Sequence, residues 1–232
     1  MKAIILAAGR GSRMGAFTDE KPKCLLEAYG KPLIEHQIEA LTKAGIKKIA
    51  LVTGYKSELL NCYGTHHFHN TKWAETNMVY SLLCAKEWLN TSDCIVSYAD
   101  IYYGSEVIKD LVNCPDDIAI AYDPNWLDLW SKRFENPLDD AETFRIDSNS
   151  YLLEIGQKPQ TVEEIQGQYM GLLKFSKNVW SSDSFREVSL SLMSCCTNFL
   201  QDLIKLDVKI KAIKNSNVWF EFDSFTDIGL AK

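Results

Sequence analysis

The chain has 232 residues, 46% of them hydrophobic, which suffices for the core of one large α/β domain or of two small ones. Its formal net charge of −6 argues against general affinity for nucleic acid or for anionic membranes, because both need a broad basic surface. No apolar run approaches the roughly 18 to 20 residues of a membrane span, and the seven scattered cysteines form no C-x-x-C pair. We therefore expect a cytoplasmic protein with reduced thiols.

The first 14 residues combine a short apolar run with a glycine-rich turn. Residues 3–7 carry no charge, which is typical of a strand buried on both faces of a parallel sheet and argues against a signal peptide. The glycines Gly9 and Gly11 follow, and they let the backbone turn tightly and expose successive N–H groups that suit a phosphate. Cations then cluster in this acidic chain at Arg10, Arg13, Lys21, Lys23 and Lys31. We interpret the turn as phosphate-binding.

Two familiar phosphate loops do not fit this turn. A dinucleotide fingerprint needs a third glycine that opens into a helix, but Met14 stands there and residues 15–19 predict no helix. This disfavours an NAD-dependent dehydrogenase. A Walker A loop needs Gly-Lys-Ser or Gly-Lys-Thr, and the chain contains neither.

The first half of the chain alternates strands and helices. The patterns predict strands at 3–7, 48–53, 65–69, 93–98 and 117–122, and helices at 32–44, from 76 or 77 to 89, and at 105–112. Such alternation is typical of a doubly wound, mainly parallel Rossmann-like α/β sheet. Gly9, Gly54, Asn77 and Asp100 all fall at the carboxyl ends of its strands, where such sheets bind ligands.

The second half has a different pattern. Residues 126–134 predict a short aromatic helix or loop, and 143–146, 151–155 and 168–175 predict antiparallel strands. Helices follow at 184–192 and 195–206, then strands at 209–213 and 219–222. Because no linker or repeat separates the halves, we predict one domain over residues 1–232, with residues 124–232 extending the sheet as a lid over residues 1–123.

The order strand, Ala-Ala-Gly-x-Gly-x-Arg-Met, polar loop, Lys21-Pro22-Lys23 resembles the nucleotidyltransferases, which combine an NTP with a phosphorylated acceptor and release pyrophosphate. The resemblance covers the whole chain and is strongest over residues 1–100 and at Asp223. It implies that Lys23 is catalytic at the α-phosphate and that Arg13 grips the β- and γ-phosphates. Residues 1–123 would be the nucleotide-binding half and residues 124–232 the acceptor-binding half.

The same resemblance implies Mg²⁺ as cofactor, held by Asp100 after the fourth strand and by Asp223 near the C-terminus. Carboxylates together with phosphate oxygens are the ligands that this ion prefers. Two alternatives remain open from the residues alone: Asp100 as the N-cap of the next helix, and Asp223 as a residue of a strand-end turn. Glu221 would replace Asp223 if the register differs by two, because both side chains lie on one side of a strand.

The nucleotide is expected along the first strand and its turn, at the second strand end, and at a helix start. The residues are Leu6, Ala7, Ala8, Gly9, Gly11, Ser12, Gly54, Thr76, Asn77 and Tyr80. The helix start, with its Thr76-Asn77 and Tyr80-Ser81-Leu82, is similar to that of the CTP-using phosphocholine cytidylyltransferases of bacterial surface polysaccharide pathways. This favours CTP over UTP, dTTP and GTP.

The acceptor is expected under the second half. Lys158, in Gly156-Gln157-Lys158-Pro159, resembles the acceptor-binding lysine of sugar-phosphate members, and Tyr169 lies where the family faces its acceptor. Arg145 could bind a carboxylate or lie on an outer face. Asp123 and Trp126 belong to an aromatic cluster that would cage a trimethylammonium group by cation–π attraction, or that packs beneath the lid.

Residues 68–70, 122–126, 140–145 and 165–171 resemble cytidylyltransferases of the capsular O-methyl phosphoramidate pathway, which couple CTP to N-phosphorylated L-glutamine. The resemblance thus ranks L-glutamine phosphate first, then phosphocholine, 2-aminoethylphosphonate and a sugar 1-phosphate. An alternative of another class is a non-catalytic nucleotide-binding regulatory subunit. Such proteins usually lose a metal carboxylate or the catalytic lysine, whereas this chain keeps Asp100, Asp223 and Lys23.

Overall fold

A seven-stranded sheet forms the centre of the computed structural model, which describes residues 1–181 and 195–230. The strands in chain order are β1 (Lys2–Ala7), β2 (Glu27–Ala28), β3 (Lys31–Pro32), β4 (Ile49–Thr53), β5 (His66–His69), β6 (Cys94–Tyr98), β7 (Ile101–Tyr103), β8 (Ile118–Asp123), β9 (Phe144–Ile146), β10 (Leu152–Ile155), β11 (Gln168–Phe175), β12 (Lys211–Lys214) and β13 (Trp219–Glu221). The order in the central sheet is β12-β8-β11-β6-β1-β4-β5. Neighbours are parallel except that β11 runs antiparallel to both β6 and β8.

The expectation of a mainly parallel α/β sheet with an antiparallel extension is therefore confirmed. Its central strands are apolar and buried along almost their whole length, since helices cover both faces of such a sheet. The single antiparallel strand comes from the second half of the chain and lies between two strands of the first half. The second half thus adds to the first half's sheet from within as well as at its edge, where β12 pairs with β8.

The helices of the described residues are mostly short. They are α1 (Leu33–Lys43), α2 (Met78–Cys84), α3 (Lys86–Thr91), α4 (Ser105–Asn113), α5 (Trp126–Arg133), α6 (Cys196–Lys205) and α7 (Phe225–Leu230). Across residues 1–181 and 195–230, none of them combines the length and the apolar character needed to span a bilayer.

Three helix predictions differ from the structure or fall outside it. Pro32 was expected at the first helical position, but it pairs in β3 and stands at the N-cap of α1 with an extended backbone. The helix expected up to residue 89 is divided at Ala85 into α2 and α3. The helix predicted at 184–192 lies outside the described residues.

Candidate active site

The glycine turn after β1 brings the backbone against the stem of Lys23. Gly11 has a left-handed backbone (φ 76°), and a Cβ there would lie 2.8 Å from both Cβ and Cδ of Lys23. A side chain at this position would therefore be strained and would displace the lysine. Ser12–Thr18 then forms 3-10 turns with a kink at Gly15, where a dinucleotide loop would open an α-helix.

Two short paired strands bring Asp100 and Asp223 together from opposite ends of the chain. In this pair β7 lies antiparallel to β13, and Phe222 N donates to the carbonyl of Asp100 at 3.0 Å. The buried Gln37 of α1 holds the turn before β7, because its Nε2 donates to the carbonyls of Tyr98 and Ile101 at 2.8 and 2.6 Å. Helix α4 has Gly104 as its N-cap, so Asp100 does not cap it.

Lys23 lies between the two aspartates. Its Nζ donates to Asp100 Oδ2 and to Asp223 Oδ1, each at 2.7 Å, and Arg13 Nη2 donates to the same Asp223 oxygen at 2.9 Å. The lysine side chain is 10% exposed, whereas that of Arg13 is 69% exposed. The structure thus brings together the four residues for which the sequence predicts catalytic and metal-binding roles.

The charges of this cluster support one another. Burial opposes the charge on Lys23, but the two carboxylates outweigh that effect and raise the pKa of its ammonium. Burial likewise opposes the charge on Asp223, but Lys23, Arg13 and Arg133 hold the pKa of its carboxyl below its usual value. The ammonium and this carboxylate are therefore both ionised at neutral pH.

The donor set fits Mg²⁺. Asp100 Oδ1 is buried and has no hydrogen-bond partner among the described residues, while Asp100 Oδ2 and Asp223 Oδ1 are brought together by their shared contact with Lys23 Nζ. Within residues 1–181 and 195–230 no group of three or more His, Cys, Asp or Glu is arranged to hold a metal. Two carboxylates completed by phosphates and water are what Mg²⁺ commonly uses, in contrast to an all-protein cage.

A small cavity of about 150 Å³ opens beside this cluster, at the carboxyl ends of β1 and β6. It is lined by Leu6, Ala7, Gly9, Gly11, Arg13, Lys23, Cys24, Met78, Ala99 and Asp100. Four of the expected nucleotide-binding residues, Leu6, Ala7, Gly9 and Gly11, are among them. We call this space the N-terminal cavity.

The other expected nucleotide-binding residues do not line this cavity. The carbonyl of Ala8 accepts from Tyr55 N at 2.9 Å, next to the Gly54 turn, and Ser12 is exposed. Asn77 is the N-cap of α2, and its Oδ1 accepts from the backbone N–H groups of Val79 and Tyr80. Thr76 Oγ1 donates to the carbonyl of Lys72 at 2.7 Å.

A second cavity of about 250 Å³ adjoins the first at Arg13 and Met78; we call it the acidic cavity. It is lined by Arg13, Met78, Tyr98, Trp130, Asp140, Glu142, Gln168, Tyr169, Gly171, Cys195, Cys196, Thr197, Glu221 and Asp223. Among these lining residues, Arg13 is the one cation beside four carboxylates. Burial raises the pKa of Asp140 and Glu142, because a carboxylate loses hydration there.

Comparison with known proteins identifies the family. Residues 3–148 match the model of the MobA-like NTP transferase domain. The chain belongs to this family. It is 39% identical over 254 aligned residues to CTP:phosphoglutamine cytidylyltransferase of Campylobacter jejuni, covering 98% of each chain. It is 46% identical over 96 residues to choline-phosphate cytidylyltransferase of Streptococcus pneumoniae, covering 40% of this chain and 42% of that protein.

The fold is shared with a solved structure as well. The structure of CTP:phosphocholine cytidylyltransferase from Streptococcus pneumoniae matches with a TM-score of 0.74 and 26% identity, covering 99% of this chain and 96% of that one. The resemblance inferred from the glycine turn and the Lys21-Pro22-Lys23 segment is therefore confirmed, and the chain is a nucleotidyltransferase.

Of the five acceptor residues expected in this nucleotidyltransferase, the structure places only Tyr169 at the acidic cavity. Lys158 Nζ donates to the carbonyls of Leu138 and Asp139, so it ties down the turn before Asp140. Arg145 is 59% exposed and lies 3.7 Å from a glutamate on the neighbouring strand β10.

The remaining two expected residues are held by local structure. Asp123 Oδ2 accepts from Trp219 Nε1 at 2.7 Å, and Trp126 is buried with its Nε1 donating to the carbonyl of Ile165 at 3.2 Å. An aromatic cage does not form around the acidic cavity: Trp126 packs on Trp130, which lines that cavity, whereas Trp73 packs on Tyr55.

Sequence reasoning missed a charged cluster behind Asp223. Arg133 contacts Glu221, Asp223 and Asp227, and its side chain is fully buried. Burial and the neighbouring Asp223 raise the pKa of Glu221 to about 8. A Ser-x-x-Asp capping box at residues 224–227 was a readable signal for Asp227, whereas no local pattern points to Arg133.

Proposed function

We propose that this nucleotidyltransferase transfers CMP from CTP to a small phosphorylated acceptor with release of pyrophosphate, and that L-glutamine phosphate is the favoured acceptor. The observation that carries the proposal is the convergence of Lys23, Arg13, Asp100 and Asp223 where the two cavities meet. The use of CTP is supported by the cytidylyltransferases to which the chain is similar, and L-glutamine phosphate by the relative matched over nearly its full length.

The reaction joins two anions, so the protein must neutralise charge and hold the reactants in line. An oxygen of the acceptor phosphate attacks the α-phosphorus, and the bond to the β-phosphate breaks. Lys23 stabilises the charge that grows on the α-phosphate oxygens, because it is a preformed cation in a water-poor site. Arg13 is suited to the β- and γ-phosphates, since its planar fork matches two oxygens and stabilises pyrophosphate as it leaves.

Asp100 and Asp223 would hold Mg²⁺. This ion would supply charge neutralisation for the triphosphate. The buried Asp100 Oδ1 without a partner supports this role, because an orphaned carboxylate oxygen is costly unless a ligand satisfies it.

The charge of the acidic cavity indicates the acceptor class. Asp140 and Glu142 lie in a partly buried space, and a neutral acceptor such as a sugar would leave them unpaired. An acceptor with an ammonium group would pair with them. Tyr169 and Trp130 line the same cavity, and their Oη and Nε1 groups are donors suited to a carboxylate. Ammonium and carboxylate together are the groups of an amino acid, which favours L-glutamine phosphate over phosphocholine and 2-aminoethylphosphonate.

The test is a matrix of the four NTPs plus dTTP against L-glutamine phosphate, phosphocholine, 2-aminoethylphosphonate and glucose 1-phosphate, with Mg²⁺ and pyrophosphate as the readout. We expect turnover with CTP and the highest kcat/KM with L-glutamine phosphate. Turnover with UTP or dTTP and the sugar phosphate would reverse both the nucleotide and the acceptor assignments. Absence of pyrophosphate with every pair would favour a nucleotide-binding regulatory subunit.

A further inference from the structure

The side chain of Arg133 lies behind the Asp223 carboxylate and meets three acidic residues. Its Nε donates to Asp227 Oδ1 at 2.9 Å, and its Nη1 donates to Glu221 Oε2 at 3.0 Å. Its Nη2 lies 3.3 Å from Asp227 Oδ2 and 3.7 Å from Asp223 Oδ2. Because the side chain is fully buried, its charge depends on these partners.

The carboxylate of Asp227 holds the backbone that carries Asp223. Its Oδ2 accepts from the backbone N–H groups of Asp223 and Ser224, both at 2.8 Å, and from Ser224 Oγ at 3.0 Å. The bond from Ser224 N is one of the two bonds of a capping box at the start of α7. Asp227 is 1% exposed, so this clamp is shielded from water. The position of the Asp223 main chain therefore follows from Asp227.

The two oxygens of Asp223 face different partners. Oδ1 meets Lys23 and Arg13 where the cavities join, and Oδ2 lies on the side of Arg133. Asp100 Oδ2 points to the same place as Asp223 Oδ1, since both contact Lys23 Nζ. The guanidinium and Asp227 thus hold the aspartate from behind, while its Oδ1 faces Lys23 and Arg13 beside Asp100.

We propose that Arg133 and Asp227 form a positioning pair that aims the Asp223 carboxylate toward Asp100 and thereby sets the affinity of the site for a divalent cation. The proposal rests on the proposed function, in which these two aspartates hold the metal. Neither Arg133 nor Asp227 lines the N-terminal cavity or the acidic cavity, so neither is expected to touch the nucleotide or the acceptor directly. Partners of this kind typically contribute about 10- to 100-fold to metal affinity.

The test uses the double variant Arg133→Met with Asp227→Asn, because it removes one buried cation together with one buried anion, whereas either single substitution would also change the net charge of the cluster. Free Mn²⁺ is measured by electron paramagnetic resonance at one fixed CTP concentration, with and without protein and without acceptor, because CTP itself binds Mn²⁺. The unfolding temperature is measured on the same samples. The matched control is Lys205→Met with Asp202→Asn, which removes the same two charges from an exposed ion pair of 2.8 Å.

We expect the double variant to bind Mn²⁺ roughly tenfold or more weakly, and to regain much of its kcat at saturating Mg²⁺. The control should bind Mn²⁺ like the unsubstituted protein. Unchanged Mn²⁺ affinity in a folded double variant would overturn the proposal.

Arg133→Lys decides the matter if the double variant does not fold. It keeps the charge but loses the planar guanidinium that donates to Asp227 and Glu221 at once. Weaker Mn²⁺ binding is again expected, and unchanged binding would overturn the proposal. Absence of Mn²⁺ binding by the unsubstituted protein would overturn both this proposal and the metal assignment. If the protein binds Mn²⁺ but does not transfer the cytidylyl group, only the proposed function would be contradicted.

Discussion

The residues that line the N-terminal cavity are mostly close together in the sequence, whereas those that line the acidic cavity come from many parts of the chain. Seven of the ten residues that line the first lie between Leu6 and Cys24, whereas the lining of the second extends from Arg13 to Asp223. A triphosphate can be bound by a contiguous turn with a few cations. An acceptor is selected by side chains collected from many elements. Substitutions in the first cavity should therefore impair every acceptor, and substitutions in the second should impair acceptors selectively.

The largest effect is expected for Lys23→Ala. Loss of a preformed charge contact typically lowers kcat by about 10²- to 10³-fold, and the fall should be similar for L-glutamine phosphate and for phosphocholine. Steady-state kinetics with both acceptors measures it, with the unfolding temperature as a check on the fold. A loss confined to one acceptor would contradict the division between the cavities.

Lys47→Ala is the matched control for that variant. Lys47 is exposed, lies before β4 and lines neither cavity, and it carries the same charge. It should leave kcat and both KM values unchanged. Equal losses in the two variants would show that the effect follows net charge and not position.

The difference between the cavities also decides how much could be predicted from sequence. Gly11 and Lys23 belong to one local pattern, and Asp100 follows a predicted parallel strand, whose carboxyl end lies at the ligand-binding edge of such a sheet. Asp223 was predicted only from the resemblance, because β13 pairs with β7 outside the central sheet. The sheet was predicted from the alternation of strands and helices, and the family from the glycine turn followed by Lys21-Pro22-Lys23. Both predictions are confirmed. The roles of the individual site residues remain predictions.

The acceptor side was harder because its residues are joined only by the tertiary fold. Lys158 was expected to bind the acceptor, but its ammonium donates hydrogen bonds to the carbonyls of a turn next to Asp140. Arg145 stands on the exposed side of β9, which strand periodicity alone could not decide. Arg133 has no local signature, since its partners lie about 90 residues away in sequence.

A smaller and selective effect is expected for Asp140→Asn. Charge-assisted contacts are worth about 1.5 to 3 kcal/mol, so the KM for an ammonium-bearing acceptor should rise roughly 10- to 100-fold while the KM for CTP stays unchanged. Asp139→Asn is the control, because that exposed neighbour loses the same charge outside the cavity lining. A rise in the KM for CTP, or equal effects of the two variants, would contradict the assignment of Asp140 to the acceptor.

The smallest effect is a pH dependence carried by Glu142. Burial raises the pKa of this carboxyl above its usual value, so it loses its charge at a higher pH than a surface glutamate does. Ammonium binding needs the ionised form, and the acceptor KM of the unsubstituted protein should therefore rise a few-fold as pH is lowered through the raised pKa. The stability contribution has the opposite direction: the fold favours the protonated group, so stability falls as pH rises from the unfolded pKa to the folded one.

The variant Glu142→Gln separates this titration from that of the acceptor. The acceptor phosphate has its own pKa near about 6, but it is the same for both proteins, so the ratio of variant KM to unsubstituted KM reports Glu142 alone. That ratio should be largest at high pH, where the glutamate is ionised, and should approach one at low pH. A ratio that stays constant between pH 5 and 8 would mean that Glu142 keeps one protonation state and that the ammonium is held elsewhere in the acidic cavity.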